Sequence, residues 1–153
     1  MPAFGRFERI DLGGRTLLVL LIKNPAGANE ALRTVVSAGA PRLALVALND
    51  AIADGRDVSW IWDVDFELLG AGLERLIASG DRAAELALRF KYSGFDASAI
   101  EVIPDLEKAL DRGLELTGPG GELVCLPTYT AMLGLQVIVT RRGHAKPYWE
   151  RAA

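Results

Sequence analysis

Six carboxylates, Asp50, Asp54, Asp57, Asp63, Asp65 and Glu67, fall within the run NDAIADGRDVSWIWDVDFE from Asn49 to Glu67. They surround one base, Arg56, and two of the chain's three tryptophans, Trp60 and Trp62. A carboxylate in a cleft can move a proton, or orient an imidazole and stabilise the imidazolium that forms from it. Several carboxylates on an open loop only solvate that loop, with an Asx-turn at Asp54-Gly55 as its simplest organising feature. Residue type alone leaves both readings open. Trp60 and Trp62 stand two apart in Val58 to Trp62, which reads as a strand, so they would share one face, either toward the core or toward a partner.

Other groups with chemical capacity are fewer. Lys23 and Asn24 precede Pro25 at a helix start, where they can meet a phosphate or simply cap the helix. Thr128 and Thr130 lie beyond the last apolar run as edge-lining hydroxyls or a plain turn. Arg82 sits at the wrong end of a helix for its dipole, which suggests a carboxylate partner or an exposed charge. Cys125 and His144 are a nucleophile and a base by type, but Cys125 lies inside the apolar run ELVCLP and reads as a buried small hydrophobe. Arg141, Arg142 and Lys146 read as a solvated basic patch. No GxGxxG, GxxxxGK[ST] or histidine and cysteine cluster is present, so no metal site and no tightly held nucleotide is expected in this chain.

These residues need elements to hold them. Phe7 to Leu12 and Thr16 to Ile22 flank Gly13-Gly14, which predicts a hairpin. Ala28 to Ser37 carries a helical apolar face after Pro25, and Leu43 to Leu48 is an unbroken apolar run of the kind buried on both faces of a parallel sheet. Leu73 to Ala78 reads as another strand, Asp81 to Tyr92 as a helix, Ala99 to Ile103 as a short strand, Asp105 to Leu116 as a helix and Glu122 to Leu126 as a strand. Thr130 to Thr140 fits a helix or a helix followed by a strand. Alternation of this kind predicts an α/β fold, Rossmann-like and doubly wound, with a mostly parallel sheet and an N-terminal antiparallel hairpin. In such sheets function gathers at the carboxyl ends of the strands, where Lys23-Asn24, Asn49-Asp50, Asp63-Asp65, Ser79-Gly80 and Pro127 to Thr130 would meet.

Composition sets limits. A length of 153 residues, half of them hydrophobic, suits a single domain over 1–153 with its own core. A net charge of −3 and a pI near 5.2 argue against nucleic acid as partner. The single cysteine fits a reducing compartment, the polar start MPAFGRFER lacks a signal peptide's apolar stretch, and the run Leu17 to Ile22 is too short to cross a bilayer. A cytoplasmic, non-transmembrane protein is expected.

The segments KNPAGANE (Lys23 to Glu30), LND (Leu48 to Asp50), ADGRDVSWIWD (Ala53 to Asp63), LRFKYSG (Leu88 to Gly94) and TYTAML (Thr128 to Leu133) resemble the C-terminal domain of the MurT subunits of lipid II isoglutaminyl synthases. The resemblance runs from about Phe4 to Trp149, and DGRDVSWIWD is its most specific part. KNPAG is similar to the asparagine-proline turn of Mur ligase third domains in general.

The resemblance implies an amidotransferase that uses ATP and glutamine-derived ammonia to amidate the D-glutamate α-carboxyl of lipid II. The ATP and Mg belong to a Mur ligase central domain absent from this chain, and the partner is a GatD-type glutaminase subunit. This domain would then not be active alone. In that family the acid of the glutaminase triad is expected from the MurT side. Asp63, which ends the predicted strand Val58 to Trp62, is the first choice, with Asp57 and Asp50 as alternatives. Trp60, Trp62 and Asp54 would face the partner, and Lys23, Asn24, Thr128 and Thr130 the ligase domain and its substrate. The competing reading is a stand-alone Rossmann-like binding or assembly module without catalysis.

Overall fold

Gly13 and Gly14 both take positive φ, 65° and 92°, which a side-chain-bearing residue rarely adopts, and they turn the chain in two residues. The result is an antiparallel pair, β1 (Phe7–Asp11) and β2 (Thr16–Leu20). In the computed structural model, which describes residues 7–144, the elements continue as α1 (Pro25–Ser37), β3 (Leu43–Ala47), β4 (Arg75–Ser79), α2 (Ala83–Tyr92), β5 (Ile100–Val102), α3 (Leu106–Thr117), β6 (Glu122–Pro127) and α4 (Tyr129–Arg141). The strand order is β1-β2-β6-β3-β4-β5, and every pairing after the hairpin is parallel. The uncertain segment from Thr130 to Thr140 is helix throughout.

Strand alternation sorts the core into two layers. Leu18, Leu20, Ala44, Val46, Leu76, Ala78, Val124 and Leu126 face one side, where Ala28, Leu32 and Val35 of α1 and Leu86 and Phe90 of α2 cover them. Leu17, Val19, Leu43, Leu45, Ile77, Leu123 and Cys125 face the other, under Ala109 and Leu110 of α3 and Leu135, Ile138 and Val139 of α4. Burial on both faces explains why β3 and β6 read as unbroken apolar runs. The segment after β3 stays on the first face and α4 after β6 covers the second, so the two connections diverge at the carboxyl ends of these neighbouring strands.

One predicted element is corrected. Val58 to Trp62 is not a strand; a 3-10 turn spans Ser59–Asp63 and a second spans Phe66–Leu69. The buried residues are Val58, Ile61 and Val64, at 5, 1 and 1 % exposure, and a repeat of three is the period of a 3-10 helix. The apparent alternation of aromatic and β-branched residues in SWIWDV concealed it. Trp60 and Trp62 consequently do not share a face: Trp60 is half-buried against the core, whereas Trp62 is 45 % exposed.

Candidate functional site

Two neighbouring regions hold the polar residues. The first lies at the carboxyl ends of β3, β4 and β6 and is wired from within. The Asn49 backbone N–H donates to Thr128 Oγ1 at 3.0 Å, and its Nδ2 donates to Thr130 Oγ1 at 3.0 Å. Asn49 Oδ1 accepts from the Asp81 N–H at 3.0 Å. Gly80, at φ 92°, lies so close that a Cβ there would stand 2.5 Å from the Leu48 carbonyl oxygen. Asp54 completes the network: its carboxylate accepts from the Ala51 N–H at 3.1 Å and from both the N–H and the hydroxyl of Thr130, at 2.7 and 2.5 Å.

The sequence assigned several of these side chains an outward role, and the geometry turns them inward. Asp54 is 9 % exposed, and its carboxylate is occupied inside the fold, so it is neither a solvating loop acid nor a carboxylate displayed to a partner. Thr128 is 1 % exposed with its hydroxyl held by Asn49, and the Thr130 hydroxyl is shared between Asp54 and Asn49. The Thr128 hydroxyl is closed off from the edge, whereas the Thr130 hydroxyl is engaged at a half-buried position. Lys23 and Asn24 do remain on that edge, both exposed. Asn24 Oδ1 caps α1 by accepting from the Gly27 N–H at 2.8 Å, while Lys23 makes no ion pair among the described residues.

The second region is the acidic turn, and α2 anchors it. Arg89 is the only buried charged side chain on that helix, on the same face as Ala83, Leu86 and Phe90. Its Nε donates to the Ile61 carbonyl at 3.0 Å, its Nη2 to the Val64 carbonyl at 2.5 Å, and the fork closes on the Glu67 carboxylate at 3.0 to 3.3 Å. The guanidinium also lies over the rings of Trp62 and Phe66, 5.7 and 5.6 Å from their centroids. Asn29 of α1 accepts from the Asp65 N–H at 2.7 Å, holding the turn from the other side.

The acids of this region differ in what occupies them. Glu67 is held below its ordinary value chiefly by its hydrogen bonds from Arg89. Asp57 accepts from the Ser59 N–H at 2.9 Å, which lowers its value, with a smaller contribution from the charge of Arg82. Asp50 is paired at 3.0 Å with Arg82, whose other partner is Glu85. The suspected carboxylate partner of Arg82 is thus real, and doubled. Asp63 is exposed, and its carboxylate makes no hydrogen bond or ion pair among the described residues. It shares a shallow groove with Trp62, Asp65, Glu67, Leu68 and Arg89, and beside it Trp62 meets the exposed Tyr92 edge-on at 5.7 Å. Asp63 ends a 3-10 turn rather than the strand expected from sequence, but Arg89 makes that turn a firm support.

Cys125 and His144 do not form a catalytic pair. Cys125 is fully buried in β6, and burial pushes its thiol up to about 12, which leaves it inert as a nucleophile near neutrality. His144 is exposed beyond α4. Arg141 and Arg142 are not a free basic patch, since both pair with Glu107 and Arg142 also with Asp111; Lys146 lies outside the described residues. Among the described residues no group of three His, Cys, Asp or Glu side chains could hold a metal ion, and no helix is long and apolar enough to cross a membrane.

Arg89, and with it the pairing of Glu67, is what sequence reasoning missed. The available signal was position: in RAAELALRF, Arg89 falls on the apolar face of its helix, where an unpaired charge would be costly.

Known proteins match this architecture. The family model described as MurT ligase C-terminal matches residues 21–132. The MurT subunit of the glutamine-hydrolyzing lipid II isoglutaminyl synthase of Streptococcus pneumoniae (strain ATCC BAA-255 / R6) is 36% identical over 140 residues, covering 91% of this chain and 31% of that protein. Its counterpart in Staphylococcus aureus (strain COL) is 36% identical over 129 residues, 84% of this chain and 29% of that protein. The chain therefore spans about a third of the length of these curated relatives. Among solved structures, Mycobacterium tuberculosis folylpolyglutamate synthase complexed with ADP superposes with a TM-score of 0.61 at 18% identity, over 89% of this chain and 32% of that one. MurF from Acinetobacter baumannii does so at 0.59 and 16% identity, over 92% and 31%. These two likenesses establish the fold alone.

Proposed function

Because this chain belongs to the MurT ligase C-terminal family, we propose that it serves as the C-terminal domain of a glutamine-hydrolysing lipid II isoglutaminyl synthase. In this reading it acts in the cytoplasm beside a Mur ligase central domain, which binds ATP and Mg, and a GatD-type glutaminase subunit. The glutaminase releases ammonia from glutamine, and the ligase transfers that ammonia to the D-glutamate α-carboxyl of the lipid II stem peptide. The present chain contributes two surfaces: the edge with Lys23 and Asn24 toward the ligase domain and its substrate, and the acidic turn toward the glutaminase.

Asp63 is the acid that would complete the partner's triad. A cysteine nucleophile is activated by a neighbouring imidazole, and that imidazole needs an acceptor at its other nitrogen to fix the tautomer and stabilise the imidazolium. One observation carries the choice: Asp63 is an exposed carboxylate without an internal partner at the end of the 3-10 turn that Arg89 secures, whereas Asp50 and Asp54 are already engaged; Asp65, whose carboxylate is also exposed and unpaired among the described residues, lies beyond that turn. Asp57 is the alternative, because only Ser59 holds it. The exposed rings of Trp62 and Tyr92 beside Asp63 suit an interface anchored by aromatic residues.

The test is glutamine hydrolysis by the complete two-subunit enzyme, wild type against Asp63→Asn, with subunit association followed in the same samples. Hydrolysis reduced by orders of magnitude with association intact is the expected result. Unchanged hydrolysis with a defect in Asp57→Asn instead would reassign the acid.

A further inference from the structure

Asp63 sits between two carbonyls that a single side chain holds. Ile61 and Val64 both accept from Arg89, so the guanidinium holds the 61–62 and 64–65 peptide units, which bracket the Trp62-Asp63 segment. The backbone bonds at the two ends of the turn are long, 3.2 Å from the Ile61 N–H to the Val58 carbonyl and 3.3 Å from the Val64 N–H to the Ile61 carbonyl. A 3-10 turn has weak internal geometry and does not fix a side-chain direction unaided. Arg89 supplies what the turn lacks: its side chain is 6 % exposed, it issues from a regular helix, and Glu67 holds the far end of its fork.

We propose that Arg89 is a positioning residue for Asp63, fixing through the Ile61 and Val64 carbonyls the direction in which that carboxylate meets the partner's imidazole. The inference rests on the reading of Asp63 as the triad acid. Chemistry explains why the position takes arginine. A guanidinium presents five donors in a planar fork and can bind two carbonyls and a carboxylate at once, whereas a lysine ammonium is a point charge that cannot span them. An orienting acid displaced by about 1 Å loses on the order of a hundredfold in rate, so a looser turn is felt in turnover even when the fold survives.

A double-mutant cycle in the complete two-subunit enzyme tests this. Wild type, Arg89→Lys, Asp63→Asn and the double variant are compared for kcat and KM of glutamine hydrolysis, with subunit association and thermal unfolding recorded alongside. The expected result is a roughly tenfold to hundredfold fall in kcat for Arg89→Lys, with glutamine KM and association preserved and with no further loss when the change is made in the Asp63→Asn background. Equal losses in both backgrounds, or no loss at all, would overturn the proposal, since Arg89 would then act independently of Asp63. If Asp63→Asn alone leaves hydrolysis intact, it is the underlying assignment of Asp63 that fails, and the role of Arg89 falls with it. Glu67→Gln, which loosens the same fork from an exposed position, carries the test where Arg89→Lys does not fold. A smaller loss in kcat that vanishes in the Asp63→Asn background supports the proposal, and a loss that persists there contradicts it.

Discussion

Asp54 and Asp63 belong to one acidic run and end in opposite situations. Asp54 accepts three hydrogen bonds and is nearly enclosed, stapling the loop after β3 to the start of α4. Asp63 accepts none among the described residues and faces solvent, while the backbone around it is held by Arg89. The first carboxylate spends its hydrogen-bonding capacity on the fold. The second keeps it, because another side chain supplies the rigidity. In the proposed reading, the acid that acts on a partner differs from its neighbours in what holds its backbone and in the lack of anything on its oxygens, and not in its membership in an acidic cluster.

Several substitutions break that contrast from one side or the other. Arg89→Ala removes the support of the acidic turn and strips hydrogen bonds from two carbonyls and Glu67; it should destabilise the chain by about 3 kcal/mol in chemical denaturation. Asp54→Asn replaces an acceptor oxygen with a donor facing the Ala51 N–H and the Thr130 hydroxyl, and should cost about 2 kcal/mol in the same measurement. Trp62→Ala acts mainly outside the fold. With the ring 45 % exposed, stability should change by less than about 1 kcal/mol, while association with the glutaminase weakens roughly tenfold by titration calorimetry.

The smallest effect is one of pH. Arg89 holds the Glu67 carboxyl below its ordinary 4.5, so this interaction stabilises the fold fully above that value and is lost as pH falls through the lower folded-state value. Glu67→Gln should therefore lose less stability than wild type between neutrality and pH values below 4.5. Because the Glu67 side chain is 54% exposed, solvent screening keeps the difference small.

How much of this was legible in the sequence depended on how local the cause was. The hairpin followed from Gly13-Gly14, and β3 and β6 from short apolar runs that suit strands covered on both faces. The convergence of Asn49, Gly80 and Thr128 followed from the rule that parallel strands gather their carboxyl ends. The segment from Val58 to Asp63 misled because its alternating residue types imitate a strand, while the spacing of three among Val58, Ile61 and Val64 carried the true period. Which acids were free was not legible, beyond the hint that Arg82 had some carboxylate partner. The partners that occupy Asp54 and Asp50, Thr130 and Arg82, are distant in sequence and are brought close only by the sheet.

The central claim is tested most directly by Asp63→Asn and Asp54→Asn in the complete two-subunit enzyme, each read for both thermal unfolding and glutamine hydrolysis per associated complex. The account predicts a crossed outcome. Asp63→Asn keeps the unfolding temperature and loses hydrolysis by orders of magnitude, whereas Asp54→Asn lowers the unfolding temperature and retains hydrolysis in the fraction that remains folded and associated. Full hydrolysis in Asp63→Asn, or its selective loss in a stable Asp54→Asn, would contradict the account.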